Sequence, residues 1–293
     1  ELEWRHASRG TARLAAALPA TPAPVPPLGP PLQVVLPRLS LDTPVLRAWA
    51  PQRAVQAEGG SLRERLAAIA LSTSVEDRRV VEWLVHHPLL TVDHLSVLLE
   101  TPATSLTRRL EWLERCALVR PVRVPEGDRD ARVPSRLAVR WLATESGTTP
   151  RSLERQAGLT SALLDGDSAA HRRFEHDLGV NATFVRLHAD ARRAGGMLAL
   201  WRNEAESRCI FVDRGRCWWV KPDGSGILVV DGRQVPFLLE YDRGTLDGGD
   251  FAEKFAGCRA YYRRAAWRGH FHPNHSCSLS AATTERSVAS SMR

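Results

Sequence analysis

Lysine is almost missing from this sequence, and so are the motifs of several common enzyme classes. Lys221 and Lys254 are the only lysines, so nearly all of the 40 basic residues are arginine. The sequence has no Walker loop, no Rossmann glycine pattern and no G-x-S-x-G elbow, which argues against ATP-driven chemistry and serine hydrolysis. No apolar run approaches the ~18 residues that cross a bilayer. We therefore expect a protein that acts without a membrane.

Cysteine is sparse as well. The 5 cysteines include no C-x-x-C pair, so neither a disulfide framework nor a zinc-binding pair is indicated. Scattered thiols fit a reduced cytoplasm, and we expect Cys116, at the edge of a helix's apolar side, to be a small buried residue rather than a nucleophile. The side chains of His270, His272, His275 and Cys277 are of metal-ligand types. Their spacing matches no metal site, so a frayed C-terminal tail is favoured.

The composition predicts a two-domain protein with an acidic partner. A chain of 293 residues with 43% hydrophobic content can bury a sizeable core. Its net charge of +7 and pI near 9.7 suit a polyanion such as DNA. We predict the α+β class, with five segments. They are a Pro/Ala-rich disordered arm at 1–60, a winged helix at 61–150, a linker with a short helix at 151–167, a nuclease-like α/β domain at 168–270 and a flexible tail at 271–293.

Three short helices are predicted after a first helix at 61–70. The first of the three spans 74–88, where Ser74 and Asp77 have the offset of a capping box. The second begins near Thr91, and the third spans 104–117. At 100° per residue the third helix buries one stripe and turns another outward. The buried stripe is Leu106, Leu110, Leu113 and Ala117, and the outward residues are Thr104, Arg108, Glu111 and Arg115.

Two β-type runs follow from Leu118, joined by a charged tip at 126–130. Three helices and a hairpin in this order predict a winged helix-turn-helix, in which the third helix reads DNA. We expect Thr104, Arg108 and Arg115 to contact phosphates or base edges. The alternative is an ordinary solvated face, because Glu111 lies between the arginines. Wing arginines would add minor-groove or backbone contacts, although an ordinary exposed hairpin in this arginine-rich chain would have the same composition. They are Arg120, Arg123, Arg129 and Arg132.

Carboxylates follow the strands predicted in the C-terminal half. The runs 217–220 and 236–241 flank a Gly-punctuated connection, and an amphipathic helix begins near Asp250. Asp223 comes just after the first run, and Glu240 and Asp242 lie two apart in the second, so they share a face. Clustered acids favour a hard divalent cation, which predicts Mg²⁺ as cofactor if this domain is an enzyme.

This pattern resembles the PD-(D/E)XK nuclease core, in which two acids hold metal and a following lysine orients water. The resemblance implies that Asp223 and Glu240 are metal ligands and catalytic residues. Asp242 occupies the lysine place, so Lys254 on the next helix is the candidate replacement. By the same resemblance the helix predicted at 168–193 would present Asp177 or Glu175 to the metal. The strand predicted at 198–201 places Glu204 near its end, where it could join Asp223 and Glu240.

The order helix, strands, helix, strand is that of an α/β core. It includes a hairpin of 210–212 and 217–220 across Asp213 to Gly215.

Beyond Lys254, aromatic residues alternate with arginines, a composition that can stack on single-stranded nucleic acid. The alternative is an amphipathic helix with Phe251, Phe255 and Tyr262 in the core. The aromatic residues concerned are Tyr261, Tyr262 and Trp267.

A second resemblance covers 74–262. It rests on HDLGVN from His176, WRNE from Trp201, PDG from Pro222, FLLEYDRGT from Phe237 and KFxxCRAYY from Lys254. In order and spacing these pieces resemble the replication-relaxation family of plasmids, phages and integrative elements. The resemblance implies an N-terminal winged helix, an α/β C-terminal domain, and DNA binding in replication or mobilisation.

We therefore predict a cytoplasmic DNA-binding protein that acts in replication or mobilisation of a plasmid, phage or integrative element. DNA is the expected partner, with a replication initiator or relaxase as a protein partner, and a homodimer is left open. One alternative is a Mg²⁺-dependent endonuclease of PD-(D/E)XK type. The second alternative is a winged-helix transcriptional regulator, which palindromic operator binding would favour.

Overall fold

The computed structural model describes residues 11–15, 61–123, 130–165, 174–242 and 248–271. The chain divides into two compact units, one formed by 29–181 and the other by 1–28 with 182–293. Helices and small antiparallel sheets occur together, so the predicted α+β class is confirmed. The division between the units falls inside a helix, whereas the sequence predicted a linker at 151–167.

The unit 29–181 is mainly helical. Its elements are α1 (Leu62–Ser72), α2 (Val75–His86), β2 (Leu90–Thr91), α3 (Val92–Leu99), α4 (Ala103–Arg115), β3 (Val119–Arg123), β4 (Asp130–Pro134), α5 (Arg136–Glu145), α6 (Pro150–Ala157), α7 (Ser161–Asp165) and the first residues of α8 (Phe174–Arg193). The first strand of the chain, β1 (Thr11–Ala15), belongs to the other unit. The three strands form an antiparallel sheet in the order β2-β4-β3.

Side-chain caps fix where these helices begin. Ser61, Ser74 and Thr91 each accept a hydrogen bond from the backbone three residues on, and each of those residues bonds back to the cap. Such capping boxes satisfy two backbone N–H groups that a helix start leaves without partners. The cap predicted at Ser74 with Asp77 is confirmed. Helix α4 begins after Pro102 without a side-chain cap, and all four helices predicted between 61 and 117 are present.

An apolar core joins the small sheet to the surrounding helices. Leu89, Ala131, Val133 and Phe174 form one buried cluster. Phe174 brings the start of α8 into this core, and Asn181 on the same helix donates a 2.8 Å hydrogen bond to the Pro88 carbonyl. The start of α8 thus belongs to the unit 29–181, which explains why the division of the chain lies within the helix.

The second unit is built on antiparallel strands. Its elements are β1 (Thr11–Ala15), the rest of α8, β5 (Met197–Arg202), α9 (Glu204–Ser207), β6 (Cys209–Asp213), β7 (Arg216–Val220), β8 (Gly224–Val230), β9 (Arg233–Asp242), α10 (Gly248–Arg263) and α11 (Trp267–His270). Four strands form a sheet in the order β1-β9-β8-β5, and β6 pairs with β7 as a separate hairpin. The predicted hairpin across Asp213 to Gly215 is confirmed.

Two hairpins close through two-residue turns of the same backbone shape. Asp231 and Gly232 connect β8 to β9, and Arg214 and Gly215 connect β6 to β7. All four residues have positive φ, between 50° and 72°. Positive φ at both central residues matches the right-handed twist of paired strands, and Asn, Asp and Gly adopt it most readily.

Some predictions from the sequence need correction. The 1–60 arm, expected to be without structure, contains the strand Thr11–Ala15, which pairs with β9. The predicted connection around Ile227 is the strand β8. The second β-type run of the predicted wing ends at Pro134, and helix α5 follows with Ser135 as its N-cap. The rest of the arm, the wing tip at 126–129, the start of the predicted 168–193 helix and the tail beyond 271 lie outside the described residues.

Candidate nucleic-acid interface

Helix α4 presents the outward face that the sequence predicted. Thr104, Arg108, Glu111 and Arg115 are all exposed. Beneath them Leu106, Leu110 and Leu113 are fully buried. The guanidinium of Arg115 lies 5.8 Å from the centre of the Trp112 ring, a distance at which a cation and an aromatic face attract. Arg108 forms no ion pair with any residue in the described ranges.

Ala117 does not belong to the buried stripe, because α4 ends at Arg115. Ala117 is exposed and has φ of 55°. The N–H of Leu118 donates to the Leu113 carbonyl and that of Ala117 to the Glu114 carbonyl. This pattern is a Schellman motif, which ends a helix with one left-handed residue. Cys116 is buried as predicted, and burial raises the pKa of its thiol to about 12.

Arg109, which the sequence pattern did not single out, anchors α4 to α2. Its guanidinium lies 2.7 Å from the Asp77 carboxylate and 2.8 Å from the Ser74 hydroxyl. The side chain of Asp77 is only 7% exposed, so its charge depends on this partner and on the cap at Ser74. The Arg109–Asp77 pair therefore holds the outward face of α4 in place. The sequence alone does not distinguish the roles of Arg108, Arg109 and Arg115, because these roles depend on which side of α4 packs against α2.

The predicted wing arginines differ in role. Arg120 donates to the carbonyls of Leu163 at 2.7 Å and Leu164 at 3.3 Å. Arg132 pairs with Glu114 at 2.7 Å. Both guanidinium groups therefore serve the fold, whereas the hairpin pattern predicted that they face DNA. The side chains of Arg123 and Arg129 lie outside the described residues.

The strand registers bring three of the predicted acids to the same end of the larger sheet. Gly224 pairs with Leu239, and Ser225 pairs with Arg202. Continuing each register by one or two residues places Asp223 and Glu240 opposite each other, with Glu204 just beyond the end of β5. The registers therefore place the backbones of Glu204, Asp223 and Glu240 at the same end of the sheet. That these carboxylates form one site stays a prediction. Asp177 belongs to the other unit.

Two of the acids at this sheet end, Asp223 and Glu204, already have protein partners. Asp223 accepts a 2.8 Å hydrogen bond from the backbone N–H of Tyr241. Glu204 lies 2.5 Å from the ammonium of Lys221. Within the described ranges no group of three or more His, Cys, Asp or Glu side chains is arranged to hold a metal ion. The arrangement therefore does not fit the Mg²⁺ site predicted from Asp177, Glu204, Asp223 and Glu240, and the side chains of Asp242 and Lys254 lie outside the described residues.

Tyr261 and His270 form a buried pair in the same unit. Tyr261 is fully buried, and its hydroxyl lies 2.7 Å from Nδ1 of His270. Arg202 donates to the His270 carbonyl at 2.7 Å. Burial lowers the pKa of His270 to about 4, and the nearby charge of Arg202 contributes. His270 is thus a core residue and not part of a frayed tail, and Tyr261 cannot stack on a base.

The other aromatic residues beyond Lys254 also favour the core alternative, with one exception. Tyr262 and Trp267 pack against the cluster around Tyr261, and burial raises the pKa of Tyr262 to about 12. Phe255, expected in the core, is 43% exposed. The side chain of Phe251 lies outside the described residues. The stretch after Lys254 is therefore mainly a packing helix.

These features define an α+β protein with a basic helix face in one unit and carboxylates at a sheet end in the other. Residues 81–273, well over half of the chain, match the replication-relaxation family, and the chain belongs to that family. This match confirms the resemblance to the replication-relaxation family that the sequence motifs indicated. Membership indicates a role in replication or mobilisation of a mobile element. Comparisons with curated proteins and with solved structures gave no match.

No helix in the described ranges is long and apolar enough to cross a membrane.

Proposed function

We propose that this protein binds duplex DNA during replication or mobilisation, and that residues 61–145 form a winged helix with α4 as the recognition helix. The order of elements from α2 to β4 supports this assignment, because α3 and α4 follow each other closely and a hairpin comes next. The observation that carries the proposal is the face of α4. Arg108 and Arg115 project from a helix whose opposite side is held by a buried leucine stripe.

A helix fixed in this way loses little conformational entropy when it binds. Arg109 and Asp77 lock α4 to α2, and the leucines fix its rotation about its own axis. Exposed arginines on the rigid face can then reach phosphates or guanine edges in the major groove. Thr104 and Glu111 on the same face supply groups that accept hydrogen bonds, and Glu111 repels phosphate. Glu111 therefore favours contact with bases over nonspecific contact with the backbone.

The test is the affinity of the full chain for labelled duplex DNA, measured by fluorescence anisotropy over a range of salt concentrations. Arg108→Ala and Arg115→Ala are expected to weaken binding by about 5- to 100-fold each, from the usual ~1–3 kcal/mol of an arginine contact. If the deleted guanidinium had neutralised a phosphate, the salt slope should also fall by ~0.9. Arg155→Ala removes one exposed arginine from α6 of the same unit and serves as the control.

Equal affinities for Arg108→Ala, Arg115→Ala and Arg155→Ala would refute the assignment of α4. A symmetric footprint over a palindromic site, bound by a dimer, would instead favour a transcriptional regulator. A replication initiator or relaxase from the same element is the protein partner to test by co-purification with the DNA complex.

Endonuclease activity is a second candidate, supported by the strand ends that bring Glu204, Asp223 and Glu240 to one side of the sheet. The partners of Asp223 and Glu204 argue against a preformed metal site. Supercoiled, linear and single-stranded DNA with Mg²⁺ or Mn²⁺ would test this candidate. Cleavage that Asp223→Ala and Glu240→Ala both abolish would establish a nuclease, and binding without cleavage would leave DNA binding as the function.

A further inference from the structure

The β6–β7 hairpin has two faces of different character. Residues that pair across an antiparallel hairpin point to the same side. Cys209 pairs with Val220 and Phe211 with Trp218, and Cys209, Val220 and Phe211 contribute to the core around Tyr261. The alternate pairs, Ile210 with Trp219 and Val212 with Cys217, therefore form the outer face. We call these four residues the outer hairpin face.

The outer hairpin face is apolar and open to solvent. Trp219 is 60% exposed and Val212 is 45% exposed, and the thiol of Cys217 is exposed as well. An exposed tryptophan side chain is unfavourable in water, because burial of its indole ring would remove a large apolar area from solvent. The inner tryptophan, Trp218, is by contrast half-buried and stacked beneath the guanidinium of Arg216, 4.3 Å from its ring centre.

The turn beside the outer hairpin face carries a cation. Arg214 lies in the turn and is exposed, whereas Arg216 pairs with Asp213 and so lies on the inner side, over the Trp218 ring. The single acid of the hairpin, Asp213, is buried and paired with Arg263, and this hydrogen bond holds the pKa of Asp213 below its usual value. Negative charge is thus neutralised within the protein, and the solvent side keeps its positive charge.

We propose that the outer hairpin face binds single-stranded DNA, with Trp219 stacking on a base and Arg214 in the adjoining turn contacting a phosphate. An exposed indole favours a flat apolar partner, and the arginine in the adjoining turn favours an anion. An unpaired nucleotide supplies both, because its base is free of its neighbours and its phosphate is charged. In duplex DNA the base faces are covered by their own stack. A second copy of this basic chain would place like charges against each other, which disfavours self-association at this face.

This inference is independent of the duplex contacts proposed for α4, because it concerns residues of the other unit. It also places the stacking aromatic residue elsewhere than the sequence predicted, since Tyr261 is buried. A protein of mobile-element replication that holds duplex through one unit and an unpaired strand through the other would be suited to DNA that is partly opened.

The experiment measures anisotropy of a labelled oligothymidylate with the full chain. Trp219→Ala is expected to weaken binding by about 5- to 100-fold, because one base can no longer stack. Trp219→Phe keeps an aromatic face and should retain most of the affinity. Val230→Ala removes an exposed apolar side chain from β8 of the same unit, outside the outer hairpin face, and should bind like the unaltered chain. Arg214→Ala should lower the salt slope by ~0.7, because one phosphate is no longer neutralised.

Far-UV circular dichroism and melting curves of each variant exclude loss of folding as the cause. Unaltered oligothymidylate binding in Trp219→Ala, or no binding by the original chain, would overturn the proposal. So would a change from dimer to monomer in sedimentation for both Trp219→Ala and Val212→Ala with unchanged oligothymidylate affinity, which would assign the face to self-association. Duplex affinity, measured in parallel with Arg108→Ala, reports separately on α4.

Discussion

The hydrogen bond from Tyr241 to Asp223 allows a direct test of whether this carboxylate serves the fold. The ladder between β8 and β9 ends at Gly224 and Leu239. Beyond that point β8 no longer offers a backbone acceptor, and the Asp223 carboxylate takes its place at 2.8 Å from the Tyr241 nitrogen. Asp223 thereby extends the pairing of β9 by one hydrogen bond, and its removal should loosen the end of this strand first.

The expected size of the effect follows from the charge of the acceptor. A hydrogen bond to an ionised group contributes about 1.5–3 kcal/mol to stability, so Asp223→Ala should speed amide exchange at Tyr241 by about 10- to 100-fold. Asp223→Asn keeps an oxygen acceptor without its charge and should have a smaller effect. Asp223 is half-buried, so we expect the acceleration of amide exchange in Asp223→Ala to lie in the middle of this range rather than at its upper end.

Hydrogen–deuterium exchange with peptide mass spectrometry suits this prediction, because it reports on one strand of a protein with two units. A peptide covering the end of β9 should exchange faster in Asp223→Ala, while peptides from α4 should not change. Asp231→Asn removes a carboxylate from the opposite end of the same hairpin and is the matched control. Unchanged protection of β9 in Asp223→Ala would refute the structural role. Protection that rises with Mg²⁺ in the original chain alone would instead support a metal site.

Two further predictions concern residues whose roles the structure changed. His270 is neutral in the folded protein, because its pKa of about 4 lies below the ordinary value of 6.5. The unfolded chain takes up this proton first, so stability should be complete above pH 6.5 and fall as the pH drops towards 4, by about 1–2 kcal/mol at pH 5. Denaturant titrations at pH 7.5 and 5 would show this decrease, and an equal decrease in His270→Gln would contradict it. Arg120→Ala removes donors to the Leu163 and Leu164 carbonyls and should cost about 1–2 kcal/mol of stability. Its duplex affinity should stay within about twofold, and weaker DNA binding at full stability would return Arg120 to the DNA-contacting set.

Periodicity predicted the interior of α4 well but not its end. Leucines at the spacing of one helix face were assigned to the core, and Leu106, Leu110 and Leu113 are there. The same pattern carried the stripe on to Ala117, because alanine does not mark a helix end as glycine does. The end of α4 depends on a left-handed alanine, which the surrounding structure maintains and the sequence does not indicate.

In β8 the glycines caused the sequence to predict a connection where the structure has a strand. Gly224 and Gly226 suggested a loop, since glycine weakens an isolated strand. A Cβ at Gly226 would lie 2.6 Å from the Phe237 ring and 2.7 Å from the Leu200 carbonyl. This glycine therefore permits close packing within the sheet. The need for it becomes visible only when β5, β8 and β9 are brought together.

The acids at the sheet end show the limit of predicting a site from strand ends. Their convergence follows from register, and the strand pattern predicted it for Glu204, Asp223 and Glu240. Their partners do not follow from register, because Lys221 and the Tyr241 N–H reach them through side-chain and backbone geometry. The outer hairpin face was missed for a similar reason, since alternation alone did not say which side of β6 and β7 would meet α10.

The turn between β6 and β7 illustrates a trade-off between stability and activity. Its backbone has the same shape as the turn between β8 and β9, but Arg214 stands where the other turn has Asp231. A left-handed conformation costs arginine roughly 1 kcal/mol more than it costs asparagine or glycine. A chain selected for stability alone would replace Arg214 with one of those residues. With Arg214 in its turn, the hairpin is less stable than it would be with asparagine or glycine, as is common for residues of binding sites.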